Sequence, residues 1–153
     1  MLRACAAPGC ALALAFTATA TSHVDPPPGA DVIDSYPIAH GHYTTTTDYL
    51  AIFFKTPDGH SCAIYPNGGP LGCDTVPSDA PAGTNQTVVN PGVVAEYRHS
   101  DAPSFARAVD ALPKGYRLVN WGASCGIDDQ GAVTCKTYGE HWFTISRAYG
   151  VLW

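Results

Sequence analysis

Hydrophobic and polar residues alternate through the middle of the chain, between short segments rich in turn-forming residues. The alternation is clearest over residues 52–73, where Thr56-Pro57-Asp58-Gly59 and Asn67-Gly68 interrupt it. A period of two is typical of half-buried β-strands, and both interruptions have the composition of hairpin turns. The pattern predicts a three-stranded antiparallel meander over residues 48–76.

The two turns independently fix the register of these strands. A type I′ turn at Asn67-Gly68, with positive φ at both residues, places Cys62 opposite Cys73. The preceding turn, with Gly59 in the left-handed conformation, places Phe54 opposite Cys62. Because side chains alternate along a strand, both registers put the same side chains on one face. These are Ile52, Phe54, Cys62, Ile64, Leu71 and Cys73.

A second hairpin of the same kind is predicted near the carboxyl terminus. In "SCGIDDQGAVTC", residues 124–135, a type I turn at 128–131 with a glycine bulge places Cys125 opposite Cys135 and Ile127 opposite Val133. Directly opposed positions of this kind lie close enough for a disulfide bond.

The other segments complete a mainly β domain. Strands are predicted over 93–98, 116–127, 132–138 and 141–147, and residues 77–92 form a surface excursion with a short strand at Thr87–Val89. Ser104 is a candidate N-cap for a short helix within 102–115, which ends at Pro113 and Gly115. We therefore expect a compact antiparallel β-meander or sandwich-like domain with two hairpin disulfides and one short helix.

The amino terminus has the features of an export signal. Arg3 precedes the apolar run Cys10–Ala20, and Ala18-Thr19-Ala20 is a small-residue cleavage site. An ordinary N-terminal helix is the alternative. We expect a signal peptide at 1–20 with cleavage after Ala20, a polar and flexible lead-in at 21–47, and one domain at 48–153. The apolar run is too short to span a membrane, so no span is expected in the mature chain.

Cysteine usage agrees with an exported protein. After residue 20 the cysteines are Cys62, Cys73, Cys125 and Cys135. Zinc ligands are usually paired at spacings of two to four residues, and thioredoxin-like redox sites have a Cys-x-x-Cys motif. The spacings here fit neither, so we predict disulfides 62–73 and 125–135, and no cofactor or metal.

Composition limits the class of partner. The chain has 8 Lys and Arg against 13 Asp and Glu, which gives a net charge of −5. Such a chain is poorly suited to nucleic acid or anionic lipid. A secreted or envelope location with a protein or glycan partner is the expectation.

Several short motifs have both a catalytic or ligand-binding interpretation and a structural one. His99-Ser100-Asp101 contains triad-type residues, yet triads are assembled from distant segments, so a polar turn is favoured. His40-Gly41-His42 could bind a metal with Asp34, Asp48 or His23, although solvent-exposed histidines are favoured.

Two further motifs are ambiguous in the same way. Asp128-Asp129 could be a catalytic carboxylate pair, but the turn already explains Asp128. Asn85-Gln86-Thr87 is a glycosylation sequon, which matters only in a eukaryotic secretory pathway.

Aromatic residues are concentrated in the last sixteen positions, 138–153. Tyr138, His141 and Trp142 form a candidate binding patch, because strand alternation directs Trp142 away from the face that carries Phe143 and Ile145. Packing of the cluster in the core is the alternative.

Three segments resemble a family of small exported actinobacterial proteins, of the mycobacterial type. "FKTPDGHSC" (54–62) is similar to the signature F-x-[ST]-P-[SD]-G-N-x-x-C, and "LPKG" (112–115) and "YGEHWFTIS" (138–146) follow in the order of that family's later motifs. The resemblance covers residues 50–153. His60 replaces the usual asparagine, and Glu140-His141-Trp142 interrupts the Gly-His-Gly-Phe element.

The resemblance implies an exported, disulfide-bonded domain and supplies no catalytic residues. We expect a secreted, non-catalytic β domain that binds an unidentified protein or glycan. The alternatives are a structural envelope component and a small secreted hydrolase that uses His99 or His141.

Overall fold

Two antiparallel sheets of five strands each make up the fold of the computed structural model, which describes residues 29–153. The sheet orders are β1-β2-β3-β4-β5 and β10-β9-β8-β7-β6, so within each sheet every strand pairs with its neighbour in sequence. The strands are β1 (Ile52–Lys55), β2 (Ser61–Ile64), β3 (Leu71–Cys73), β4 (Gln86–Asn90), β5 (Val93–Arg98), β6 (Arg117–Asn120), β7 (Ala123–Ile127), β8 (Val133–Lys136), β9 (Trp142–Ile145) and β10 (Gly150–Leu152).

The predicted register of the first meander is confirmed. Cys62 pairs with Cys73, and Phe54 pairs with Cys62. Asn67 and Gly68 have φ values of 59° and 76°, as a type I′ turn requires, and Gly59 has a φ of 94°. The local chemistry of two turns is therefore sufficient to set three strands in register.

The second predicted hairpin is confirmed as well. Cys125 pairs with Cys135 across β7 and β8. The Asp128 carboxylate accepts hydrogen bonds from the backbone N–H groups of Gln130 and Ala132, both at 2.9 Å, and Gly131 has a φ of 90°. Asp128 thus stabilises a turn, as expected from its position.

Both disulfides form and lie in the core between the sheets. The Cys62–Cys73 and Cys125–Cys135 bonds each join strands that are adjacent in sequence, and all four cysteines are fully buried. β2 lies against β7, β3 against β8, β4 against β9 and β5 against β10. The molecule is therefore a sandwich in which the two disulfide-bonded strand pairs face each other.

The two sheets are similar to each other in design. Each is a simple meander, and in each the disulfide joins the second and third strands. The facing strands β2 and β7 carry the related segments Ser-Cys-Ala-Ile (61–64) and Ser-Cys-Gly-Ile (124–127). Residues 52–98 and 117–152 therefore share a strand plan and the position of the disulfide within it.

The predicted helix within 102–115 does not form. The Asp74 carboxylate accepts hydrogen bonds from the backbone N–H groups of Ser104, at 2.9 Å, and Phe105, at 2.8 Å. The Phe105 ring covers Gly72 so closely that a Cβ on Gly72 would lie 2.6 Å from it. These contacts hold the segment as a loop across the outer face of the first sheet. Phe105 therefore packs on the sheet although no helix forms.

The lead-in, expected to be flexible, is packed against the sheets from residue 29 onward. A 3-10 helix, Ala30–Ser35, buries Ile33 against Gly126 on the outer face of the second sheet. The Tyr43 carbonyl accepts a hydrogen bond from the Phe53 N–H at 2.8 Å, and the Ala39 N–H donates to the Arg117 carbonyl at 2.9 Å. Residues 29–43 therefore cover one sheet face and the edges of β1 and β6.

Two further expectations need correction. The short strand expected at Thr87–Val89 forms as β4 (Gln86–Asn90), but Val88 and Val89 are buried in the core, so this segment is not a surface excursion. The single strand expected over 116–127 is split by a turn at Trp121-Gly122 into β6 and β7. The predicted signal peptide at 1–20 lies outside the described residues.

Candidate functional site

Turns from both sheets meet at one end of the sandwich. A Cβ on Gly68, in the β2–β3 turn, would overlap the ring of Tyr138 from the β8–β9 turn, and a Cβ on Gly122 would lie 3.3 Å from the Tyr138 Cβ. The Asn120 side-chain N–H donates to the carbonyls of Leu50, at 2.9 Å, and Ile64, at 3.0 Å. The loop before β1 is thereby fixed beside these turns.

Four large exposed hydrophobic side chains lie at this end. The relative exposure is 72% for Tyr49, 48% for Leu50, 53% for Trp121 and 63% for Tyr138, and Tyr65 is half-buried beside them. We call these five residues the aromatic end. Exposed aromatic residues on rigid turns combine a large apolar contact area with a small loss of conformational entropy on binding.

Trp121 is held in an unfavourable backbone conformation. Its φ is 51°, and the φ of the next residue, Gly122, is 78°, so the pair forms a tight turn between β6 and β7. A left-handed conformation costs an ordinary residue about 1–2 kcal/mol, which asparagine and glycine largely avoid. An exposed tryptophan at this position is the kind of local strain that is often found at functional sites.

A shallow pocket of about 220 Å³ opens next to these residues. Asp48 is the one charged residue among the described residues that line it, and its carboxylate is paired with the Arg107 guanidinium at 3.0 Å. Arg107 also lies 4.5 Å above the ring of Phe53, which fixes this ion pair in place. The pocket therefore has no uncompensated charge. Its lining is Thr47, Asp48, Tyr49, Leu50, Ala51, Tyr65 and Pro66.

The predicted patch of Tyr138, His141 and Trp142 is only partly a surface. Tyr138 is exposed and belongs to the aromatic end, whereas His141 is half-buried and Trp142 is 4% exposed. The 3-10 helix lies against β9, so strand alternation alone did not predict the burial of Trp142. Core packing is the correct interpretation for Trp142, which cannot serve as an open contact.

Two buried nitrogens in this region have no hydrogen-bond partner within the described part of the chain. They are the Nδ1 atom of His141 and the Nε1 atom of Trp142. Because neither residue lines the pocket beside Tyr49, we do not include them in the candidate site.

The triad-type residues are not assembled into a catalytic site. His99 Nε2 lies 3.1 Å from Asp101 and Nδ1 lies 3.0 Å from the Gly83 carbonyl, while the Ser100 hydroxyl donates to the Ala102 carbonyl at 2.7 Å. Both ring nitrogens of His99 are therefore engaged away from Ser100. The segment is a hydrogen-bonded polar turn.

The metal candidates are also separated. Asp34 is paired with Arg117 and Lys136, and Asp48 with Arg107. Among residues 29–153, no three His, Cys, Asp or Glu side chains are grouped so that they could hold a metal ion. His23 lies outside the described residues.

The sequon asparagine is used in the fold. The Asn85 amide donates to the Ser100 carbonyl at 2.8 Å, and its oxygen accepts from the Ser100 N–H at 2.9 Å. This paired hydrogen bond resembles one step of a β-ladder and holds the two loops together.

Sequence reasoning missed Tyr49, Leu50, Tyr65 and Trp121 as parts of one site. The available signal was the apolar pair Tyr49-Leu50, which follows a polar run of four threonines and Asp48. Their convergence depends on contacts between turns that are far apart in sequence.

Within residues 29–153 there is no helix with the length and apolar character needed to cross a membrane. No family model, curated protein or solved structure matches the chain. The resemblance to exported actinobacterial proteins therefore stays a prediction.

Proposed function

We propose that this protein is a secreted, non-catalytic binding domain that recognises a neutral glycan through its aromatic end. The secreted location is supported by the signal-like residues 1–20 and is compatible with two buried disulfides. The organisation of His99, Ser100 and Asp101 as a polar turn supports a non-catalytic role.

The observation that carries the proposal is the pairing of exposed aromatic rings with a hydroxyl-containing pocket whose one charge, on Asp48, is compensated. The negative face of an aromatic ring attracts the weakly positive C–H groups of a sugar ring. Thr47 adds a hydroxyl group for hydrogen bonding, and the Asp48 charge is already compensated by Arg107. A neutral polyhydroxylated ligand fits this chemistry better than an ionic one.

The fold makes this end rigid before any ligand arrives. Tyr138 is packed on Gly68 across the two sheets, and Asn120 holds the loop that carries Leu50. The strands next to these turns are also joined by disulfides, at Cys62–Cys73 and Cys125–Cys135. Preorganised side chains lose little freedom on binding, which favours affinity.

An array of neutral and acidic oligosaccharides tests the proposal. The first variant is Trp121→Asn, because asparagine accepts the positive φ of this turn and the fold should be retained. The second is Tyr49→Ser. The matched control is Tyr149→Ser, which removes an aromatic ring that is 51% exposed but lies in the β9–β10 turn at the other end.

We expect the wild type and Tyr149→Ser to bind a neutral oligosaccharide, and each of the other variants to bind at least about tenfold more weakly, a loss of about 1.4 kcal/mol. Failure of the wild-type protein to bind any neutral glycan would overturn the proposal. Unchanged binding by both aromatic-end variants would overturn it too.

A further inference from the structure

Two cations without side-chain partners line a single cleft. The sequence has eight Lys and Arg residues, and all except Arg3 lie within residues 29–153. Lys114 and Arg147 are the two in that described range with no hydrogen bond or ion pair from their side chains, and both line the same cleft. The other five have partners: Lys55 with Ser61, Arg98 with Gln86, Arg107 with Asp48, Arg117 with Asp34, and Lys136 with Asp31 and Asp34.

The cleft has a volume of about 330 Å³ and lies at the end opposite the aromatic end. It is formed where the β1–β2, β7–β8 and β9–β10 turns meet. The backbone around Arg147 is fixed, because its carbonyl accepts from the Ser78 N–H at 3.0 Å and the Ser146 hydroxyl oxygen accepts from the Tyr149 N–H at 3.1 Å. The lining includes Pro57, Asp58, Lys114, Gln130, Ser146 and Arg147.

The one carboxylate among the described lining residues already has partners. The Thr56 hydroxyl donates to Asp58, and His60 Nε2 lies 3.5 Å from the same carboxylate. Lys114 and Arg147 have no such compensation, and the Gln130 side chain is also without a hydrogen bond. Positive charge and free donors are therefore in excess in this cleft, although the chain as a whole has a net charge of −5.

We propose that this cleft binds an oxyanion group, which is a carboxylate, phosphate or sulfate of a ligand. The planar guanidinium of Arg147 can donate two parallel hydrogen bonds to such a group, the Lys114 ammonium supplies a second charge, and the Gln130 amide supplies a further donor. This site is separate from the aromatic end and does not depend on the proposed glycan recognition.

Two-dimensional NMR of the protein tests the proposal, with sodium phosphate, sulfate and acetate as the three probes. Ionic strength is held at about 0.1 M with sodium chloride, so that general screening of surface charge is constant. The readout is the shift of the backbone amides of Gly131, Ser146 and Arg147. The test variant is the pair Lys114→Gln with Arg147→Gln, and the control is Lys136→Gln, which removes a cation from the outer face of the second sheet.

We expect saturable shifts at these amides with at least one probe, at least about tenfold weaker binding in the double variant, and unchanged binding in Lys136→Gln. The probe that binds most tightly distinguishes a carboxylate from a phosphate or sulfate ligand. Shifts that stay linear in anion concentration, or that are the same in the double variant, would overturn the proposal.

Discussion

The ring of Tyr138 lies directly on the backbone of Gly68, where an additional Cβ would overlap it. Gly68 belongs to the β2–β3 turn of one sheet, and Tyr138 to the β8–β9 turn of the other. This contact joins the two sheets at the aromatic end. It also sets the position of Tyr138, which we propose is functional.

Gly68→Ala should destabilise the protein more than a glycine-to-alanine substitution at which only the backbone conformation is unfavourable. Gly92→Ala is the matched control, because Gly92 has a φ of 74°, against 76° for Gly68, and no atom lies within 4 Å of its would-be Cβ. We expect the control to lose about 1 kcal/mol of unfolding free energy and Gly68→Ala to lose at least about 1 kcal/mol more. Urea unfolding measures both, and equal losses would mean that the Tyr138 contact has no energetic role.

Removal of either disulfide should reduce stability by a similar amount. The bonded cysteines lie 11 positions apart in one bridge and 10 in the other, and for loops of this length loop-closure entropy gives about 3 kcal/mol of stabilisation each. We expect Cys62→Ala with Cys73→Ala, and Cys125→Ala with Cys135→Ala, to show comparable losses in urea unfolding. Peptide mapping of the non-reduced wild type checks the connectivity, and a cross-link from Cys62 to Cys125 would contradict it.

Asp74→Ala should release the loop that replaces the predicted helix. The carboxylate accepts from the Ser104 and Phe105 N–H groups and from the Gln86 amide, the last at 2.6 Å. Hydrogen bonds to a charged group contribute about 1.5–3 kcal/mol each. We therefore expect the free energy of unfolding to fall by about 2–3 kcal/mol, and the amides of Ser104 and Phe105 to exchange hydrogen rapidly. Asp79→Ala, at an exposed aspartate, is the control, and similar exchange rates in the two variants would refute this role.

Stability should fall as the pH rises above about 10. Burial raises the pKa of Tyr43 and of Tyr97 above 10.0, and nearby Asp110 and Asp79, respectively, raise them further. For Lys136, burial lowers the pKa, but hydrogen bonds to Asp31 and Asp34 outweigh it and raise the net pKa above 10.5. Each group takes up its proton more readily in the folded state than in the unfolded state. Its contribution to stability is therefore complete below the unfolded pKa and is lost as the pH rises through the folded one.

Urea unfolding at a series of alkaline pH values measures this effect. We expect Tyr43→Phe to show a smaller decrease than the wild type, because one titrating group is absent. A wild-type free energy of unfolding that stays constant between about pH 9 and pH 11 would contradict the assignment.

Trp121→Asn should make the free protein more stable. The φ of 51° is unfavourable for tryptophan, and its ring is 53% exposed, so the substitution relieves strain and removes little packing. We expect the free energy of unfolding, measured by heat or urea, to rise by about 0.5–1 kcal/mol. Asn120→Ala provides the contrast, since it removes the hydrogen bonds to Leu50 and Ile64 and should decrease stability. A large loss in Trp121→Asn would show that the indole ring is a structural contact.

Local turn chemistry explains why part of the fold could be predicted from the sequence. Asn67-Gly68 and the glycine at 131 fix the register of their own strands, so the disulfide pairs and the inward face followed from residues that are close in sequence. Trp121-Gly122 forms the same kind of turn, but tryptophan is not a turn-forming residue, and the break between β6 and β7 was therefore missed.

The remaining errors concern contacts between distant segments. The loop at 102–105 is held by Asp74, which lies 30 residues before Ser104, and Ile33 packs on Gly126. The aromatic end requires four separate segments to meet. Periodicity and capping patterns describe neighbours in sequence, so they contain little information about such encounters.

Within each sheet, each strand hydrogen-bonds to the strand next to it in the chain, and this bears on the order in which the sheets can form. All pairing partners of the first sheet have been synthesised once residue 98 is in place, before β6 exists. Its inner face, with Phe54 and Leu71, has no cover until the second meander follows. A chain that has completed the first meander but not the second would thus have paired strands with an open apolar side, which is the kind of surface that favours aggregation.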